Sequence, residues 1–271
     1  MSIEQFSTAS LLCEIDGPVL TVTFNKPQTL NALDIGVMAE LNQVLDRIET
    51  DASIRVVIFT GEGRAFVAGG DIADLNSRKA LAHYNEFAEE IHKLLRRIET
   101  LDKPTIGAIN GFALGGGTEL LLTLDLRLVS DRSKLGLPEI KLGLFPGAGG
   151  TQRILRQVPS CRARELMYLG EMIGPQEAVE IGLANRVVPH ETLMVEAKAL
   201  ANKLAAQSPV ILKLLKRVLI DGADMPLSAA LRHEQAVIGL VLGSHDAHEG
   251  CSAFLEKRPA AFRGNEPWPI S

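Results

Sequence analysis

The stretch Thr105-Ile106-Gly107-Ala108-Ile109-Asn110-Gly111-Phe112-Ala113-Leu114-Gly115-Gly116-Gly117-Thr118-Glu119 holds three signals in order. Thr105 to Ile109 is an apolar run of strand length. Asn110-Gly111 turns the chain, and Gly115-Gly116-Gly117 leads into an apolar helix from about Thr118. The same order occurs upstream. Arg55 to Thr60 reads as a buried strand and runs into the glycine-rich segment Gly61 to Ile72. Ahead of it, Leu11 to Ile15 and Val19 to Phe24 flank Asp16-Gly17, a hairpin signal. Asp34 is placed to cap a helix to about Glu49, with Met38, Leu41, Leu45 and Ile48 at helical spacing. Ala80 to Leu101 reads as one long helix with Phe87, Ile91, Leu94 and Ile98 on one face. Strands alternating with helices imply an α/β architecture with parallel pairing.

From His190 to Lys257 the signals are helical, punctuated by Ser208-Pro209, Met225-Pro226 and Gly243-Ser244. Leu214, Leu215, Val218 and Leu219, then Leu231, Val237 and Leu240, supply apolar faces for docking on the core or on a neighbouring subunit.

Composition bounds the function classes. The chain has 271 residues, 46% hydrophobic and 23% charged, ample for a large core. A net charge of −5 argues against nucleic acid as a partner. Cys13, Cys161 and Cys251 are widely spaced, so no zinc or redox motif is formed, and free thiols fit a reducing compartment. Met1 to Ser10 lacks a signal-peptide pattern and no run is long enough to span a bilayer, so a cytoplasmic protein without a membrane partner is expected. Neither G-x-S-x-G nor a Walker A lysine occurs. Gly147, Gly149 and Gly150 do not match a dinucleotide fingerprint. His245 and His248 read as surface residues, and Lys213, Lys216 and Arg217 as a solvated helical face with phosphate contact as the alternative. A Ser–His hydrolase centre finds no support: His83 and His92 lie elsewhere in sequence, and the turn at Gly116 has no serine.

Two glycine-rich turns, each after a buried strand, can aim backbone N–H groups at one oxygen and so form an oxyanion hole. Two carboxylates belong to the same region. Glu119 follows Gly116 by one helical turn and sits among Leu120, Leu121 and Leu122. Glu139 lies in Leu137-Pro138-Glu139-Ile140, ahead of the run Gly143 to Gln152. A carboxylate in apolar surroundings needs a partner or a chemical role, and two near one oxyanion hole can divide proton transfer between acid and base.

Taken in order, these motifs resemble those of the enoyl-CoA hydratase/isomerase (crotonase) family: Asn25-Lys26-Pro27 with Asn31-Ala32-Leu33, the Gly63–Ile72 turn, Asn110 to Glu119, Pro138-Glu139 to Gln152, Ala178 to Val188, and Phe254 to Arg258. The resemblance covers nearly the whole chain. It implies a right-handed spiral of ββα units with a helical C-terminal trimerisation region. The division is expected at 199/200, with residues 1–199 holding the CoA-binding and catalytic site and residues 200–271 serving oligomerisation. It implies a homotrimer or homohexamer, and an acyl-CoA thioester as substrate, with coenzyme A entering as part of it and no separate cofactor or metal. The oxyanion donors fall on the N–H groups of Gly70 and Gly116, and the glutamates of hydration on Glu119 and Glu139. Ala68, Asp71, Ile72 and Ala73, with Gly70 and Gly116, would run along the coenzyme A, mainly through backbone. Gly70 stands where relatives often carry Ala, and Phe145 would shape the acyl pocket. The activity implied is reversible hydration of a 2-enoyl-CoA to a 3-hydroxyacyl-CoA, with Glu119 as base and Glu139 as acid. A double-bond isomerase, a specialised hydratase or lyase, and a thioester hydrolase are the alternatives within the family. A non-catalytic binding protein on the same scaffold is the alternative outside its chemistry.

Overall fold

Burial alternates along β2 (Leu11–Asp16), whereas β4 (Val56–Gly61) and β6 (Thr105–Ile109) are buried almost throughout. That difference separates a half-covered antiparallel edge from central parallel strands. The computed structural model describes residues 4–264, apart from the side chains of Ala80, His83 and Tyr84. The readings that fall on Met1 to Ile3, on the His83 side chain and on residues 265–271 lie outside the described residues.

Among the described residues β1 (Glu4–Ser7), β2 and β3 (Val19–Phe24) form an antiparallel ribbon. The ribbon continues in parallel through β4, β6, β8 (Leu126–Ser130) and β10 (Arg186–Val188) to make a seven-stranded sheet. The expected hairpin is present, with Gly17 at φ +58° in its turn. A second, three-stranded parallel sheet joins β5 (Ala65–Val67), β7 (Phe112–Leu114) and β9 (Lys134–Gly136). Each pass of the chain therefore adds one strand to each sheet, β4 with β5, β6 with β7, β8 with β9, before helices return it. This is the ββα spiral expected from the sequence.

α1 (Ile35–Thr50) starts where the sequence places it, with the Asp34 side chain accepting from Val37 N. It buries Val37, Met38, Leu41, Val44, Leu45 and Ile48, each contributing roughly 1.5–3 kcal/mol of burial. The helix expected over 80–101 is present from Ala80 to Glu99, with one π turn set into it. α3 (Ala80–His83) passes through a wide π turn, Tyr84–Ala88, into α4 (Glu89–Glu99). The wider turn still leaves Phe87, Ile91, Leu94 and Ile98 in the core.

α9 (Leu193–Ala205) lies on the outer face of the large sheet, packing Leu193, Ala197, Ala201 and Ala205 against Val56, Ile58, Ile106 and Leu128. The 199/200 boundary falls inside this helix. Beyond it come α10 (Pro209–Ala223), α11 (Leu227–Leu242) and α12 (His245–Glu256). On α10 the reading as a solvated face is corrected at Lys216, while Lys213 and Arg217 stay at the surface. Lys216 is buried and bonds Asp125 Oδ2 at 2.8 Å and the Lys103 carbonyl at 3.3 Å. Lys213 and Arg217 pair with Asp102. These contacts dock α10 on the strand-end loops and leave none of the three as a free phosphate ligand.

Candidate active site

Two buried asparagines shape the first turn. Asn31 Nδ2 donates to the carbonyls of Glu62 and Ala65, while its Oδ1 accepts from Lys26 N. Asn110 Nδ2 donates to the carbonyls of Gly63 and Ala65, and its Oδ1 accepts from Gly61 N. The loop is thereby fixed at both ends before β5 leads to Gly69, at φ +96°. Leu33 N donates to Gly69 O at 2.8 Å, and Asp71 N donates to Leu33 O at 3.0 Å. Because the peptide is trans, a Gly69 carbonyl aimed at Leu33 turns the Gly70 N–H the opposite way. That N–H has no acceptor among the described residues.

The second turn ends at α5 (Gly116–Leu121), whose first N–H groups are orphaned by helix geometry. Gly115 N is satisfied by Gly136 O at 2.9 Å, and Gly116 N has no acceptor among the described residues. A Cβ at Gly116 would stand 3.5 Å from Gly70 N, so the two turns abut. A Cβ at Gly70 would meet Leu75 Cδ1 at 3.3 Å, the end of a flexible side chain, so alanine fits there with little adjustment.

One helical turn on from Gly116, Glu119 is 3% exposed, and its Oε1 accepts from Ala148 N at 2.7 Å and Gly150 N at 2.8 Å. Burial raises its pKa, opposed by those two N–H groups and by the Arg153 charge. Glu139 stands in the tight turn Pro138–Leu142, and its Oε1 lies 2.9 Å from the Cβ position of Gly115. Its Oε2 is buried without a partner among the described residues. Burial pushes the Glu139 carboxyl up to about 7, opposed by its own backbone N–H and aided to a lesser degree by the charge of Glu119. Gly70, Gly116, Glu119 and Glu139, far apart in sequence, are thus brought around one space.

Ala68, Asp71, Ile72 and Ala73 follow the first turn into α2 (Ile72–Ser77), but several of their N–H groups are already used. Ala68 N donates to Leu30 O, Asp71 N to Leu33 O, and Ala73 N to the Asp71 carboxylate, which caps α2. What they still offer a ligand is carbonyl oxygens, the Ile72 N–H, which has no acceptor among the described residues, and the Ile72 side chain, 53% exposed.

Sequence reasoning missed the loop that holds Glu119. Ala148 and Gly150 donate to it. Arg153 on α6 (Gly150–Gln157) pairs with Glu99, and His92 Nε2 reaches Gly147 O at 2.9 Å. His92, set aside on sequence distance, therefore lies against the site's supporting loop. The only signal was the glycine density of 147–150, which by itself marks a turn. A separate cavity of about 740 Å³, lined by residues including Thr21, Thr23, Asn110 and Lys198, borders none of the four converging groups. Among the described residues no cluster of three or more His, Cys, Asp or Glu side chains could hold a metal ion.

The order and identity of these elements match known proteins. A family model described as enoyl-CoA hydratase/isomerase matches residues 14–265. The chain belongs to the enoyl-CoA hydratase/isomerase family. Among its relatives, it is 39% identical over 250 residues to the short-chain-enoyl-CoA hydratase of Clostridium acetobutylicum, covering 92% of this chain and 95% of that protein. It is 38% identical over 246 residues to the 2,3-dehydroadipyl-CoA hydratase of Escherichia coli, covering 91% and 95%. The crystal structure of enoyl-CoA hydratase from Bacillus anthracis superposes with a TM-score of 0.88 at 36% identity, covering 98% of this chain and all of that one. The family and the spiral fold inferred from the motifs are both borne out.

Proposed function

We propose that the chain is an enoyl-CoA hydratase that adds water across the 2,3 double bond of an acyl-CoA thioester. The observation that carries this is the convergence of two unpartnered N–H groups, on Gly70 and Gly116, with two carboxyls, that of Glu119 buried and that of Glu139 partly so. The thioester oxygen accepts from both N–H groups, which draws electron density from the conjugated double bond and leaves C3 electrophilic. Glu119 has two loop N–H groups and the Arg153 charge in support of its anion. Glu139 has only its own backbone N–H and also feels the Glu119 charge. When the pair holds one proton it sits on Glu139, and Glu119 is the base.

Water held between them gives its proton to Glu119 while its oxygen bonds to C3. The electron pair of the double bond moves through C2 onto the thioester oxygen as an enolate, stabilised by the two N–H donors, each typically worth about 3–4 kcal/mol of barrier. Glu139 then protonates C2, and a proton returns from Glu119 to Glu139 to reset the pair. Coenzyme A enters with the substrate, its arm passing the Ala68 carbonyl and the Ile72 side chain, and no separate cofactor or metal takes part. Phe145, 72% exposed on the loop after Glu139, shapes the acyl end.

Two coarser properties go with this reading. The exposed apolar residues of α10–α12, Leu219, Leu240 and Phe254 among them, suit burial between subunits in a trimer or hexamer. Free Cys13, Cys161 and Cys251 suit a reducing cytoplasm, and no helix among the described residues is long and apolar enough to cross a membrane.

The test is loss of the conjugated thioester absorbance of crotonyl-CoA and longer trans-2-enoyl-CoAs, without added metal or nicotinamide. Wild type is expected to turn over, and Glu119→Gln and Glu139→Gln to lose roughly 10²- to 10⁴-fold each, the usual worth of a positioned acid or base. Inertness toward every 2-enoyl-CoA, with conversion of a 3-enoyl-CoA instead, would replace the hydratase reading by the isomerase one.

A further inference from the structure

Glu119 takes both of its hydrogen bonds from one glycine-rich loop, residues 147–150, and both go to the same oxygen. The loop is clamped from two sides. Arg153, within α6, donates Nη1 to the Ala148 carbonyl at 3.2 Å, and Nε and Nη2 to the two oxygens of Glu99 at 3.1 and 3.0 Å. This pair is largely buried, at 14% and 20% side-chain exposure. His92, like Glu99 on α4, places Nε2 2.9 Å from the Gly147 carbonyl. The two adjacent glycines record how tightly this is built. A Cβ at Gly149 (φ +101°) would overlap the Arg153 guanidinium, and one at Gly150 would stand 2.8 Å from Glu119 Oε1. Arginine on one side and carboxylate on the other leave room only for bare backbone.

We propose that Arg153, paired with Glu99 and bonded to the Ala148 carbonyl, is a positioning residue that holds loop 147–150 so that two N–H groups converge on one oxygen of Glu119 and leave its other oxygen to the attacking water. This rests on the reading of Glu119 as the base. The guanidinium also acts through its charge, opposing the burial that raises the Glu119 pKa. The charged and titratable groups on this side of Glu119 are Arg153 of α6, Glu139 of the 138–142 turn, and, behind Arg153, Glu99 and His92 of α4. β5 and β7, which also pack on α5, carry no ionisable side chain. Removing Arg153 therefore withdraws support for the ionised form, so the midpoint of Glu119 moves to higher pH.

The experiment compares Arg153→Met, Arg153→Lys, Glu99→Gln, and Arg153→Met combined with Glu119→Gln. It reads the acid limb of kcat/KM against pH and, independently of turnover, the ¹³C NMR titration of the Glu119 carboxyl, assigned by its loss in Glu119→Gln. Arg153→Met is expected to lower kcat roughly 10- to 100-fold, a part of the ~10²–10⁴ that a positioned acid or base supplies. It should shift both midpoints upward, and add little loss once Glu119 is already Gln. Arg153→Lys restores part of the charge effect but not the two-pronged pairing with Glu99. An unmoved Glu119 midpoint, or a full additional loss in the double variant, overturns the proposal. Should Arg153→Met fail to fold, unmoved midpoints in Arg153→Lys and Glu99→Gln overturn it equally. If wild type hydrates no enoyl-CoA while the NMR midpoint still moves, the positioning role stands and the hydratase reading falls.

Discussion

Glu139 is a carboxyl kept near neutrality by where it sits. Its folded-state pKa, about 7, lies above the ordinary value of 4.5, so the folded protein holds this proton more tightly than the unfolded chain does. Stability linked to it is full below about pH 4.5, falls as pH rises toward 7, and is lost above that. Glu139→Gln removes the cost. The shift sets a ceiling of about 3 kcal/mol, and partial exposure of the side chain lowers the expected gain to about 1–2 kcal/mol at pH 8. Urea unfolding at pH 5 and pH 8 checks this: the variant should be more stable than wild type at pH 8 and nearly equal to it at pH 5, while losing hydration at both. At this scale the sequence announced the glutamates through their apolar and glycine-rich surroundings, and the two glycine-rich turns at which unpartnered N–H groups meet. It could not announce that Ala73 N–H is consumed by the Asp71 cap, or that Ala148 and Gly150 serve Glu119, because those bonds join segments distant in sequence.

Elements were legible where one period governed a whole segment. Asp34 and the apolar spacing of α1 gave its start and its face, and Asp16-Gly17 gave the hairpin. The helix read over 80–101 is present from Ala80 to Glu99 with one π turn set into it. Reading failed where tertiary contact decided. α10 presents Lys213, Lys216 and Arg217 at helical spacing, yet only Lys216 is buried, against Asp125 and the Lys103 carbonyl. Burial predicts unequal costs. Lys216→Ala leaves Asp125 with its Thr105 bonds but without its cation, and should cost about 2–3 kcal/mol, somewhat below the usual loss for breaking a fully buried pair because Asp125 is partly exposed. Arg217→Ala, at a half-exposed pair, should cost less than about 1 kcal/mol. Thermal unfolding of the two variants side by side distinguishes these, and equal losses would mean that α10 is not anchored through Lys216.

For the whole molecule, two sheets wound by one repeating unit place the ends of β5 and β7 together, and with them Gly70 and Gly116. α10, docked through Lys216, and the following α11 and α12 keep Leu215, Leu219, Leu227, Leu231, Leu240 and Phe254 exposed. Large exposed apolar side chains on three successive helices suit a surface that is covered by another subunit. The protein is expected to sediment as a trimer or hexamer at micromolar concentration, and Leu219→Asp with Leu240→Asp to shift it toward monomer. Sedimentation velocity checks this, and a wild type that runs as a monomer would remove the oligomer from the reading.

The sequence alone determined the α/β class, strands β2, β3, β4 and β6, the family, and the residues around which chemistry is argued, whereas β5 and β7 read only as glycine-rich turns. Each of these depends on local periodicity, turn chemistry or motif order, which neighbouring residues carry between them. Only the tertiary structure decided that Gly70 abuts Gly116, that Glu119 draws two N–H groups from loop 147–150, that Arg153 and His92 brace that loop, and that Lys216 is an anchor. Those outcomes depend on which distant segments share a space and how much water is left there. Hydrogen bonds between segments distant in sequence fix both, and they leave no periodic trace in the chain.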